Sequence, residues 1–200
     1  MMYYYQKQQA FSLVETLVAI SILLIVIVGP MTITARTAKS STFATEQAQA
    51  FFLAQEGIEL AQKLRDDRML LFFHNQTNNT WSTFRGGTAY PNLGNCYDSN
   101  GCGLHWTGSA DIGILASNCG GANNLNTCRL YQKNSGRNYF THTSTNANIT
   151  PFVRKIYFTR DGTNDTYVRV RSEVVWRTGS IISLQRVELE TYLYNVYGLN

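Results

Sequence analysis

From Phe11 to Ala35 the chain reads FSLVETLVAISILLIVIVGPMTITA, and Glu15 is the single charged residue in it. As a helix rising about 1.5 Å per residue, this stretch reaches roughly 37 Å, enough to cross a bilayer. Its centre, Leu17 to Val28, is interrupted only by Ser21. The composition agrees. Charged residues make up 15% of the chain, below the usual share of about 25%, as suits a chain that spends part of its length in lipid. A secretory signal peptide would place a small-residue cleavage site after the apolar run. Here the small residue, Ala10, stands before it. A cut at Ala10 would leave the spanning helix on the mature protein.

Residues 1–10 are polar, with one positive charge at Lys7, and run QKQQA-FSLVE-TLVAISILLIVIV into the apolar segment. This resembles the class III signal of type IV prepilins: a short polar leader, a small residue, a cut, Phe, four further residues ending in Glu, then an apolar helix. The resemblance implies cleavage between Ala10 and Phe11 and N-methylation of Phe11 by a prepilin peptidase. The residue before the cut is Ala where the family more often has Gly. The leader carries a single Lys, and Arg36 and Lys39 follow the helix, so the positive-inside signal for a cytoplasmic N-terminus is weak.

Glu15 needs a physical reason, because an ionised carboxylate in a spanning helix costs about 2–3 kcal/mol or more unless paired. By the resemblance it pairs with the Phe11 amine of a neighbouring subunit and sets the axial register of assembly. The plainer alternative is a place among the lipid headgroups. Gly29 and Pro30 lie inside the same helix. Proline removes the hydrogen bond to the Val26 carbonyl and clashes with it, so a kink is expected. By the resemblance, a proline near this depth marks a stretch that unwinds in the filament; a simple kink near the membrane surface is the other reading.

Beyond the apolar run the pattern turns amphipathic over residues 36–73. Ala50, Leu53, Ala54, Gly57, Ile58, Ala61 and Leu64 fall on one stripe at helical spacing, with Glu46, Gln49, Glu56, Glu59 and Lys63 largely elsewhere. Gly57 costs about 1 kcal/mol in helix propensity relative to Ala, and is expected to let a strand approach closely. Residues 74–127 are rich in Asn, Gly, Ser and Thr, and read as loops and short strands. The four cysteines, Cys96, Cys102, Cys119 and Cys128, lie in this region or directly at its end. Their even number favours disulfides in an oxidising compartment over a zinc site, whose tight pairs are missing, or free thiols. Three connectivities are open, and the two nearest pairings would each close a small loop.

The C-terminal third reads as three strands, Phe152–Thr159, Tyr167–Trp176 and Ile181–Tyr197, joined by turns at Asp161-Gly162 and Thr178-Gly179-Ser180. Short connections imply an antiparallel meander. A phase switch near Gln185–Arg186 predicts a bulge, with Ile182 and Leu184 on one phase and Val187, Leu189 and Leu193 on the other. The fold class is therefore α+β: one long helix, transmembrane then amphipathic, packed on a C-terminal antiparallel sheet, with residues 74–200 as a globular head.

No HExxH, GxSxG or P-loop appears, and His74, His105 and His142 are isolated in sequence. We therefore expect no catalytic residue, metal or cofactor. The net charge of +4 is modest. Arg154, Lys155, Arg169, Arg171, Arg177 and Arg186 are interleaved with Asp161, Asp165, Glu173, Glu188 and Glu190, which favours a solvated sheet face over contact with DNA or an anionic host surface. By the resemblance the chain is a structural subunit, a minor or major pilin or pseudopilin, of a type IV pilus or type II secretion filament. Its implied partners are copies of itself, other pilins, the prepilin peptidase, an inner-membrane assembly platform, and membrane lipid before assembly. It would cross the cytoplasmic membrane once with its N-terminus inside, then move to a cell-surface filament. The alternative is a single-pass membrane-anchored adhesin or receptor that never polymerises.

Overall fold

The computed structural model describes residues 12–75, 81–87, 93–107, 114–120, 127–134, 138–162, 166–179 and 183–196. The chain forms two compact units, Met1–Thr45 and Glu46–Asn200. Helix α1 (Leu13–Asn75) contributes to both. From Leu13 to Thr42 its side chains are exposed, including every large apolar residue from Leu13 to Ile33, and Phe43 is half-buried.

The second unit is an α+β head. After α1 come a short helix α2 (Trp81–Gly86), a 3₁₀ turn (Leu93–Tyr97), and seven strands: β1 (Cys102–Trp106), β2 (Ile114–Asn118), β3 (Arg129–Lys133), β4 (Tyr139–Thr141), β5 (Ala147–Arg160), β6 (Tyr167–Trp176) and β7 (Gln185–Tyr194). All pairings are antiparallel. β5 is the hub: β1 and β3 pair along one edge of it, β6 pairs along the other, and β7 lies beyond β6.

The amphipathic stripe of α1 meets this sheet. Ala50, Leu53, Ala54, Gly57, Ala61 and Leu64 are buried and Ile58 is half-buried. The main core joins Leu60, Ala61 and Leu64 to Ile156, Phe158, Val168, Val170 and Leu193 of β5, β6 and β7, with Trp81 and Phe84 of α2 filling one end. Gly57 marks the point of closest approach. A Cβ there would stand 2.5 Å from Ser172 Oγ and 2.6 Å from Ile156 Cδ1, so the helix can lie this near the sheet only with glycine.

The C-terminal meander forms as the turn spacing implies, and β6 has the bounds read from its alternation. The first strand starts earlier than expected, at Ala147. The bulge expected near Gln185–Arg186 is absent. β7 pairs with β6 in unbroken register from Gln185 to Tyr194. The apparent phase switch is the end of a strand: Leu184 precedes β7 and is exposed, and Ile182 lies outside the described residues. The register shift falls instead in β3, between Arg129 and Tyr131, opposite β5.

Two disulfides are formed, Cys96–Cys102 and Cys119–Cys128, with Cα atoms 4.5 and 5.1 Å apart. The first ties the 3₁₀ turn to β1 inside the main core, and the second joins Val153 and Val175 in a small separate cluster.

Candidate functional site

The candidate site is the part of α1 that lies in the first unit. Glu15 occupies its first turn, where the partial positive charge of the helix N-terminus favours an anion. Within α1, four hydroxyl residues of the spanning stretch each spend their proton on the preceding turn. Thr16 donates to the Leu13 carbonyl at 2.9 Å, Ser21 to Leu17 at 2.8 Å, Thr32 to Gly29 at 2.8 Å and Thr34 to Pro30 at 2.8 Å. Such back-bonding satisfies the hydroxyl without any outside partner. α1 continues through Gly29 and Pro30. A Cβ on Gly29 would meet nothing within 4 Å, so this glycine is not demanded by packing within the chain. Among the described residues, α1 is the one helix long and apolar enough to cross a membrane. Ala10 and Phe11 lie outside the described residues.

The head is fastened to the second part of α1 by Arg154. Its guanidinium is fully buried; Nη1 donates to the Leu53 carbonyl at 3.0 Å and to Glu56 Oε2 at 2.8 Å, and Nη2 donates to the Leu104 carbonyl at 2.8 Å. One side chain of β5 thus ties α1 to β1. This corrects the placing of Arg154 on a solvated face. It is in phase with Phe152, Ile156 and Phe158, which point into the core, and that alternation was the signal for its burial. Lys155 is also buried, on the opposite face, opposite Glu173.

The remaining basic residues form no open cationic patch on β6 and β7. Glu173 pairs with Arg186 at 2.8 Å, Arg171 with Glu188 at 3.4 Å and Arg169 with Glu190 at 4.0 Å. Each bridge is displaced by two residues from direct register, in the same sense. Tyr167 against Tyr192, with ring centroids 5.2 Å apart, continues the diagonal. The charges therefore cancel in rows along the sheet surface. Arg177, beyond the end of β6, is exposed.

His105 and His142, isolated in sequence, meet with ring centroids 5.4 Å apart, edge to face. His142 Nδ1 bonds the Arg129 carbonyl at 3.1 Å. Burial, with Arg154 and His105 nearby, pushes the His142 pKa down to about 3; burial and Arg154 lower that of His105. Both shifts favour the neutral imidazole. Among the described residues, no group of three or more His, Cys, Asp or Glu could hold a metal ion.

Residues 5–29 match the prokaryotic N-terminal methylation motif, the class III signal peptide of type IV pilin-like proteins. No curated protein and no solved structure matches the chain.

Proposed function

We propose that this chain is a structural subunit, a pilin or pseudopilin, of a type IV pilus or a related type II secretion filament. The observation that carries the reading is Glu15, a lone carboxylate in the first turn of an exposed apolar helix, inside the segment that matches the methylation motif. A carboxylate is rare in such a setting and marks a functional position.

On this reading residues 1–10 are the leader, residues 11–35 the membrane and assembly helix, residues 36–73 its amphipathic continuation, and residues 74–200 the head. The prepilin peptidase cuts between Ala10 and Phe11 and methylates the new amine. The subunit waits in the cytoplasmic membrane with its N-terminus inside. An inner-membrane platform then moves it into a bundle of such helices, where Glu15 meets the Phe11 amine of the next subunit. Gly29 and Pro30 supply the weak point at which the helix bends or unwinds. The cysteine loops stiffen the surface of the head outside the cell.

The test is Glu15→Ala, followed by intact mass of the chain in sheared surface material and in membranes. The expected result is a processed chain, beginning at N-methylated Phe11, that stays in the membrane and is lost from the surface fraction. A chain that keeps residues 1–10, or a Glu15→Ala variant recovered with sheared surface filaments as well as the wild type, overturns the reading in favour of an anchored receptor.

A further inference from the structure

The head carries a cleft of about 480 Å³ where the end of β5 passes the 3₁₀ turn, lined among others by Tyr97, Asp98, Ser99, Tyr157, Arg160 and Arg171. One wall is the short loop Tyr97–Gly101, closed by the Cys96–Cys102 disulfide. Several contacts hold that loop. Tyr97 Oη donates to the Phe84 carbonyl at 3.0 Å, and the Gly101 amide donates to the Asp98 carbonyl at 3.0 Å. Gly101 has φ +68°, and a Cβ on it would stand 2.8 Å from the Tyr157 ring, so glycine permits both the turn and its approach to β5.

Two arginines flank it from opposite faces of the sheet: Arg160 shares the phase of core-facing Phe158, and Arg171 lies opposite Tyr157. The Arg160 guanidinium lies 4.4 Å from the centre of the Tyr97 ring, and its Nε and Nη2 donate to the Arg85 and Gly86 carbonyls at 2.8 and 3.2 Å. The Arg171 guanidinium lies 4.3 Å from the centre of the Tyr157 ring, and Nη1 donates to Glu188 at 3.4 Å. Stacking orients both planar groups at little further entropic cost. These contacts leave Arg160 Nη1 and Arg171 Nε and Nη2 as remaining donors.

The chemistry of the lining narrows the ligand. The volume lies in the range of small-molecule sites and far exceeds one simple ion. Asp98, exposed on the loop and accepting from Ser99 Oγ at 3.2 Å, repels a bare anion but accepts from hydroxyls. The tyrosines carry guanidinium groups on their faces, and Tyr97 also packs edge-on against Phe158, so a flat aromatic base finds little to stack on. We propose that this cleft binds an acidic sugar residue, its carboxylate held by Arg171 Nε and Nη2 and its hydroxyls donating to Asp98. The site belongs to the head alone and does not depend on assembly.

The test is calorimetric titration of the full-length chain in detergent with glucuronate, glucose and acetate through the millimolar range. Glucuronate is expected to bind saturably, at least about tenfold tighter than either other probe, because each alternative loses one class of partner. Arg171→Gln should weaken glucuronate about tenfold. Ser99→Trp, which fills the cleft from an exposed position, should abolish it and keeps the test decisive if Arg171→Gln fails to fold. Absence of saturable glucuronate binding, equal affinity for glucose, or full binding by Ser99→Trp overturns the proposal.

Discussion

Gly57 of α1 lies against Ser172 of β6 so closely that a single methyl group on the helix would stand 2.5 Å from the serine hydroxyl. Helix and sheet are in backbone-limited contact there, and the neighbours are a strand side chain on each side, Ile156 at 2.6 Å and Arg154 Cδ at 3.2 Å. Alanine would return about 1 kcal/mol of helix propensity, but overpacking a filled interface costs about 1–3 kcal/mol. Overpacking wins because Ser172 and Arg154 are buried and Arg154 is pinned by its own bonds. Gly57→Ala is therefore expected to lower the thermal midpoint of the head by a few degrees, and Gly57→Leu by much more. A scanning-fluorimetry midpoint at or above wild type for Gly57→Ala would contradict this packing.

Arg154 should be the most costly polar residue to lose. Arg154→Ala leaves the Leu53 and Leu104 carbonyls without their donor and Glu56 without its cation. Removing one member of a buried ion pair costs about 3–5 kcal/mol. Glu56→Gln should cost only about 1 kcal/mol, because the Glu56 side chain keeps 34% of its exposure and water can replace part of the pairing. Urea unfolding of the two variants measures the asymmetry; equal losses would place the latch elsewhere.

Acid should loosen the head through the histidine pair. The folded pKa of His142, about 3, lies below its ordinary value of 6.5, and that of His105 is lowered too. A base with a depressed folded pKa is protonated first in the unfolded chain. Its contribution is complete above pH 6.5 and is lost as pH falls toward 3. Thermal midpoints should therefore decline through that window. His142→Asn keeps a donor for the Arg129 carbonyl but does not titrate, and should flatten part of the decline relative to wild type. Parallel pH profiles for the two proteins would remove His142 as a cause.

How far the sequence carries depends on how local the signal is. The stripe from Ala50 to Leu64 is set by helical spacing alone, and the bounds of β6 by alternation between two turns, so both were legible. The value of Gly57 was legible as a close approach, while the identity of its neighbour, Ser172, needed the fold. At Arg154 phase outweighs charge: the alternation Phe152, Arg154, Ile156, Phe158 points it inward. His105 and His142 could not be paired beforehand, since β1 and the segment after β4 come together only through the sheet. Likewise the cysteine spacing left three connectivities open, and only the closure of the 3₁₀ turn onto β1 brings Cys96 to Cys102. In the spanning segment, Glu15 stood out from sequence because a charge there is so improbable.

The back-bonded hydroxyls of that segment bear on its passage between surroundings. Thr16, Ser21, Thr32 and Thr34 draw their hydrogen bonds from their own helix, so they are indifferent to whether acyl chains or apolar side chains lie outside. The Ser12 hydroxyl, the Val26 carbonyl, facing the missing N–H of Pro30, and the Glu15 carboxylate are polar groups of the stretch whose free energy still depends on the medium. The helix is thus nearly isoenergetic between one dry environment and another. For the assembly proposed above, direction is then left to whatever meets a single carboxylate at one end and a single backbone oxygen near the other.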